Sequence, residues 1–183
     1  MQKRYEVLAG LPPYGPMAVS VPQGEYEDGS EGYVVRFYQP DGSSWVANFA
    51  PGLSNFSMVL DYPDTDRTIV IASGEGYVMA VDQEKPLSTF GGAVKSVFAT
   101  GHGEVALVDD LCVVVVSSTG ELWQSERIAW DGIKDVVISG RKLMGWAYDP
   151  TDSIREWKSF AIDLDTKEVW GGSYNTKNWF QLD

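Results

Sequence analysis

One hairpin pattern occurs four times along this chain, and it constrains the fold more than any other feature. Each copy has an apolar strand, a polar turn and a second strand carrying a large aromatic or apolar residue. The copies span residues 37–49 (FYQPDGSSWVANF), 80–90 (AVDQEKPLSTF), 115–125 (VVSSTGELWQS) and 162–172 (IDLDTKEVWGG). Self-similarity at a fixed period is the mark of a repeat architecture. In the first copy Pro40-Asp41-Gly42 supplies the turn: proline presets one backbone dihedral and glycine accepts a positive one.

Between and around these copies lie further short apolar runs bounded by turn residues, and three modules of four strands can be read. Their first strands centre on Val59, Val97 and Val136. A degenerate fourth module is assembled from the N-terminal stretch and the first hairpin. The expectation is a single all-β domain over 1–183, with modules of approximately 1–50, 51–92, 93–130 and 131–174. A four-stranded unit of this size matches one propeller blade, so a propeller-like repeat of four-stranded antiparallel modules is expected. A two-sheet β-sandwich is the alternative, because both use short antiparallel strands. Val35, Val59, Val70, Val78, Val97, Leu107, Val114, Val136, Phe160 and Ile162 are expected to be buried on inner strands.

One segment reads two ways. Ile154, Trp157, Ala161 and Leu164 recur at helical spacing, and Ser153 with Glu156 has the form of a capping box. Phe160, Ile162 and Leu164 alternate as a strand does. The strand is preferred, because Asp165-Thr166-Lys167 falls where the other hairpins turn.

The 26 acidic residues outnumber the 14 basic ones, giving a net charge of −12. Nucleic-acid binding needs a basic surface to displace counterions, and an anionic membrane surface would repel this chain. The acid either keeps the protein soluble or steers a basic partner. The single cysteine, Cys112, stands beside a run of valines and reads as a small buried hydrophobe. A chain with no intrachain disulfide suits a reducing compartment. Leu8 is soon followed by Pro12, Pro13 and Pro16, so the opening residues read neither as a signal peptide nor as a membrane span. A cytoplasmic location is the expectation.

No set of catalytic residues stands out. His102, the single histidine, lies between two glycines with no serine elbow elsewhere, and reads as a solvated loop residue. One histidine and one cysteine fall short of a zinc set. The glycines of 74–76 and 91–92 lack the helix that a phosphate loop needs. Close acid pairs occur at Asp64/Asp66, Asp109/Asp110 and Asp163/Asp165. Two carboxylates can hydrolyse a glycosidic bond, yet neighbouring aspartates are also the common way to make β-turns. No metal ligand set and no cofactor is indicated.

Trp45, Trp123 and Trp170 hold the same hairpin position and read as packing residues. Trp130, Trp146, Trp157 and Trp179 fall outside that register. Tryptophan is a favoured interface anchor, which makes Trp130, Trp146 and Trp179 candidate binding residues.

The hairpins resemble blades of WD40-like and quinoprotein-like propellers, above all GELWQSERIAWDGI at 120–133. The chain as a whole looks like a group of small bacterial proteins of undefined function that share W-V-x-N-F, I-x-W-D-G-I and a closing G-G-S-Y. Here these are Trp45 to Phe49, Ile128 to Ile133 and Gly171 to Tyr174. The resemblance implies a bacterial single-domain protein and imports no activity.

Together these features read as a non-enzymatic protein-binding module, in one form an acidic immunity or inhibitor-type protein that neutralises a basic effector. The candidate acidic face is Glu25, Glu27, Asp28, Asp64, Asp66, Asp109 and Asp110. The alternative is a carboxylate-dependent hydrolase, which needs two acids converging in space.

Overall fold

The computed structural model describes residues 3–24, 30–101, 103–151 and 155–174. They form four four-stranded sheets and one short 3-10 turn, Pro63–Thr65. The first sheet holds β1 (Tyr5–Val7), β2 (Val19–Val21), β3 (Tyr33–Tyr38) and β4 (Ser44–Phe49), in the order β1-β3-β4-β2. Its last pair, β2 with β4, is parallel. The second sheet is a meander of β5 (Met58–Tyr62), β6 (Arg67–Ala72), β7 (Glu75–Met79) and β8 (Ser88–Gly91). The third is a meander of β9 (Ser96–Ala99), β10 (Glu104–Val108), β11 (Val113–Ser117) and β12 (Leu122–Gln124). The fourth runs through β13 (Ile133–Ser139), β14 (Lys142–Tyr148), β15 (Trp157–Asp163) and β16 (Val169–Gly171).

The local chemistry explains these strands. β6 and β11 are near-continuous β-branched runs, as expected of strands buried on both faces. Ala72 pairs with Glu75, leaving Ser73 and Gly74 as a two-residue loop with φ of 47° and 93°. Positive φ at both positions is the mirror-image turn that matches strand twist. Trp157–Asp163 is a strand, in line with the alternation of Phe160 and Ile162. Ser153 and Ile154, which carried the helical alternative, lie outside the described residues.

The chain divides into two compact units, Met1–Val94 with Ser118–Gly120, and Lys95–Ser117 with Glu121–Asp183. In the first, one buried cluster joins Val35, Phe37, Ala47 and Phe49 of the first sheet to Val70, Ala72, Tyr77 and Met79 of the second. Phe49 lies 5.0 Å from Tyr77, ring to ring, and the Tyr77 hydroxyl donates to the Ala50 carbonyl at 2.8 Å. In the second, Ala106, Val108, Val113 and Val115 of the third sheet share a cluster with Leu143, Ala147, Phe160 and Ile162 of the fourth.

The propeller-like repeat expected from the sequence is not what forms. Backbone pairing stops at the edges of each sheet, so the four sheets are discrete and none is closed on itself. The first sheet also departs from the other three by its parallel strand. Of the three tryptophans that suggested equivalence, Trp45 stands apart from the other two. Trp45 lies on an inner strand, stacked on Phe37 with its indole N–H bonded to the Val81 carbonyl at 2.8 Å. Trp123 and Trp170 lie on outermost strands, and Trp170 is exposed. The physical reason is that hairpin periodicity reports strand and turn lengths, which are local, whereas closure depends on how sheet edges meet. The resemblance to WD40-like and quinoprotein-like propeller blades, and with it the likeness to small bacterial blade-repeat proteins, falls on the same ground.

Burial follows strand position. Val35, Val70, Val78, Leu107, Val114, Phe160 and Ile162 are buried. Val59, Val97 and Val136 are half-buried, because β5, β9 and β13 are edge strands rather than inner ones.

Candidate binding face

The fourth sheet has one face packed on its unit's core and one facing outward. Along β14 the side chains alternate: Leu143, Gly145 and Ala147 are buried, while Lys142 and Trp146 are exposed and Met144 and Tyr148 half-buried. Alternation of this kind is dictated by the pleat. Backbone register then lines up Val137, Met144, Ala161 and Trp170 across all four strands. A second row places Trp146 between Lys134 and Ser159. On the outward face Val137 is 54% exposed, Trp146 43% and Trp170 42%.

These residues border a shallow groove of about 450 Å³, whose rim includes Asp135 and Ser159. Gly145 forms part of its floor. A Cβ there would come within 2.8 Å of the Phe160 ring, so the missing side chain lets that ring close the floor from beneath.

A β-bulge makes the face apolar. The register of β13 against β14 slips between Lys134 and Val137, and Asp135 adopts a φ of 51°. The extra residue decides which of two consecutive valines faces out: Val137 rather than Val136 falls opposite Met144 and points outward, and Val136 packs against the core cluster. Bulges re-aim side chains in this way, and aspartate is among the few non-glycine residues that tolerate this backbone region.

The tryptophans differ in how they are engaged. Lys134 lies 4.2 Å from the Trp157 ring, which also meets Tyr148 at 5.0 Å. Lys167 lies 5.6 Å from Trp123 and Lys142 5.9 Å from Trp170. Arg127 sits 5.4 Å from Trp130 and 4.4 Å from Tyr174. Among the described residues Trp146 is the tryptophan whose side chain has no ring, cation or hydrogen-bond partner.

The acids expected to form a face are divided between the units. Asp64 is exposed on the 3-10 turn after β5, and nearby Asp66 pairs with Arg4 at 2.9 Å. Asp109 and Asp110 follow β10 in the other unit. Asp109 accepts from the backbone N–H groups of Leu111 and Cys112, both at 2.6 Å, and Asp110 pairs with Lys95. Glu25, Glu27, Asp28, Trp179 and His102 lie outside the described residues. Trp130 is 37% exposed but occupies the loop before β13. Its backbone N–H donates to Ser173 Oγ at 3.1 Å, and it does not line the groove.

The remaining acid pair also does turn work. Asp163 accepts from the N–H groups of Thr166 and then Asp165, both at 2.9 Å, which lowers its pKa, and Asp165 pairs with Arg141 at 2.8 Å. Among the described residues Asp149 is the most strongly shifted carboxyl. Bonds from Lys158 (2.8 Å) and Thr151 hold its pKa at about 2. Cys112 is half-buried just before β11, and burial, then the nearby Asp109 charge, raises its thiol pKa, opposite to what a thiolate nucleophile needs. No group of three or more His, Cys, Asp or Glu side chains suited to a metal occurs among the described residues.

Sequence reasoning found Trp146 but missed Val137, Met144, Trp170 and Asp135. The alternation along 142–148 puts Met144, Trp146 and Tyr148 on one face but does not say that this face is the outward one. No protein-family model matches this chain, and neither does any curated protein.

Proposed function

We propose that this chain is a protein-binding module, that its site is the outward face of the fourth sheet, and that its partner is a basic protein, as an inhibitor-type protein neutralising a basic effector would require. The observation that carries the reading is the outward row of exposed Val137, half-buried Met144 and exposed Trp170, with exposed Trp146 beside it. Contiguous exposed apolar surface marks interaction sites, and tryptophan anchors are over-represented among residues that dominate binding energy. The net charge of −12 favours encounter with a basic molecule.

A displayed random-peptide library panned against the folded protein tests this. Enriched peptides should bind the wild type and lose at least about tenfold in affinity on Met144→Glu. Enrichment that ignores Met144→Glu would overturn the reading. So would a concentration-dependent mass that Met144→Glu abolishes, which would make a second copy the occupant.

A second reading, the carboxylate-dependent hydrolase, is favoured by one specific arrangement. Asp149 and Glu156 converge on Lys158, at 2.8 and 3.9 Å. Turnover of chromogenic glycosides that disappears in Glu156→Gln, with the fold intact, would support it. Absence of turnover across such a panel would set it aside.

A further inference from the structure

We propose that Trp146 and Asp135 form a specificity pocket for an arginine side chain of the basic partner, the guanidinium stacking on the indole while pairing with the carboxylate. This rests on the reading of the outward face as the binding site.

The chain itself shows the preference of its rings for cations. Trp123, Trp130, Trp157 and Trp170 each have a lysine or arginine of the chain over them. Trp146 has none, although it is 43% exposed. Lys134 stands opposite Trp146 in the strand register, but its ammonium is committed to Trp157 at 4.2 Å. Trp146 therefore presents an open face in a groove where its neighbour Trp170 is already served by Lys142.

Asp135 supplies the second half. It lines the same groove, and its side chain is 69% exposed. Its contact with a cation is a long one, 3.8 Å to Lys134. The bulge fixes its position through the φ of 51°. Arginine fits this pair better than lysine, because a planar guanidinium can stack on a ring and present two N–H groups to a carboxylate together. An ammonium is a compact, strongly hydrated point charge. The overall charge of −12 favours the same cationic occupant.

The test is an NMR titration of the full chain with acetyl-Gly-Arg-Gly-amide and with its lysine and citrulline counterparts, read at the indole N–H of Trp146. The arginine peptide should move that resonance saturably. The citrulline peptide, of the same shape without the charge, should bind about tenfold more weakly. Asp135→Asn should reduce the arginine peptide to the citrulline level, and asparagine tolerates the positive φ, so the bulge is retained. Equal shifts from all three peptides would overturn the pocket. So would an arginine response that survives Asp135→Asn or appears only at other indoles. Library peptides that depend on Met144 yet carry no arginine would overturn the pocket and leave the binding face standing. A library with no Met144-dependent peptide would overturn the face itself.

Discussion

At the scale of single residues, the side chains that matter most are those whose environment leaves no slack. The site of Gly145 has no room for a methyl group, since an added Cβ would meet two Phe160 ring atoms at 2.8 and 2.9 Å and the Lys134 carbonyl at 3.2 Å. Gly145→Ala should cost roughly 1–3 kcal/mol, seen as a lower urea midpoint. Asp149 is buried, and its folded-state pKa of about 2 lies below the ordinary 3.8. A depressed carboxyl contributes stability that is present above its unfolded pKa and lost as pH falls through the folded one. Stability should therefore fall between about pH 4 and pH 2, by up to about 2 kcal/mol from this group. Asp149→Asn should be less stable at neutral pH and show a flatter profile in that window, measured by denaturant unfolding at stepped pH. Little of this was legible in the sequence. Asp149 looks like any other acid beside Pro150, and only the fold brings Lys158 to it. The turn roles of Asp109 and Asp163, by contrast, were legible, because aspartate bonding nearby backbone is a local effect.

At the scale of elements, β13 is the strand whose irregularity has the largest consequence. Its bulge allows Val136 to enter the core while Val137 faces out. Asp135→Val should cost roughly 1–3 kcal/mol, because a β-branched residue is strained at positive φ. Asp135→Gly should leave the thermal midpoint nearly unchanged. Strand existence was readable from alternation and turn chemistry, as in the hairpins at 37–49 and 162–172. The outward face of β14 was not. Met144, Trp146 and Tyr148 are the bulkier set and Leu143, Gly145 and Ala147 the smaller, so hydrophobicity alone points the wrong set toward the core. What reverses the assignment is Phe160, which fills the space over Gly145 from the neighbouring strand. The bulge left no readable trace either, since Lys134-Asp135 followed by Val136, Val137 and Ile138 does not alternate and so fixes no register.

At the scale of the whole molecule, each unit has its own buried cluster, and the charge is a property of the entire chain. If the acid steers a basic partner, the association rate should fall as ionic strength rises, because screening cuts the reach of surface charges to about 8 Å at physiological salt. Stopped-flow association with an enriched basic peptide, at low and high salt, measures this. A rate indifferent to salt would assign the acid to solubility alone. The propeller expectation failed at this scale, where hairpin period carries no information about how sheets meet. The central claim is that the outward face of the fourth sheet is the binding site, and mapping backbone and indole NMR shifts with a bound enriched peptide tests it most directly. The account predicts that the largest changes fall on Val137, Met144, Trp146, Ser159, Ala161 and Trp170. Changes centred instead on Asp64 and Asp66, or on Asp109 and Asp110, would contradict it.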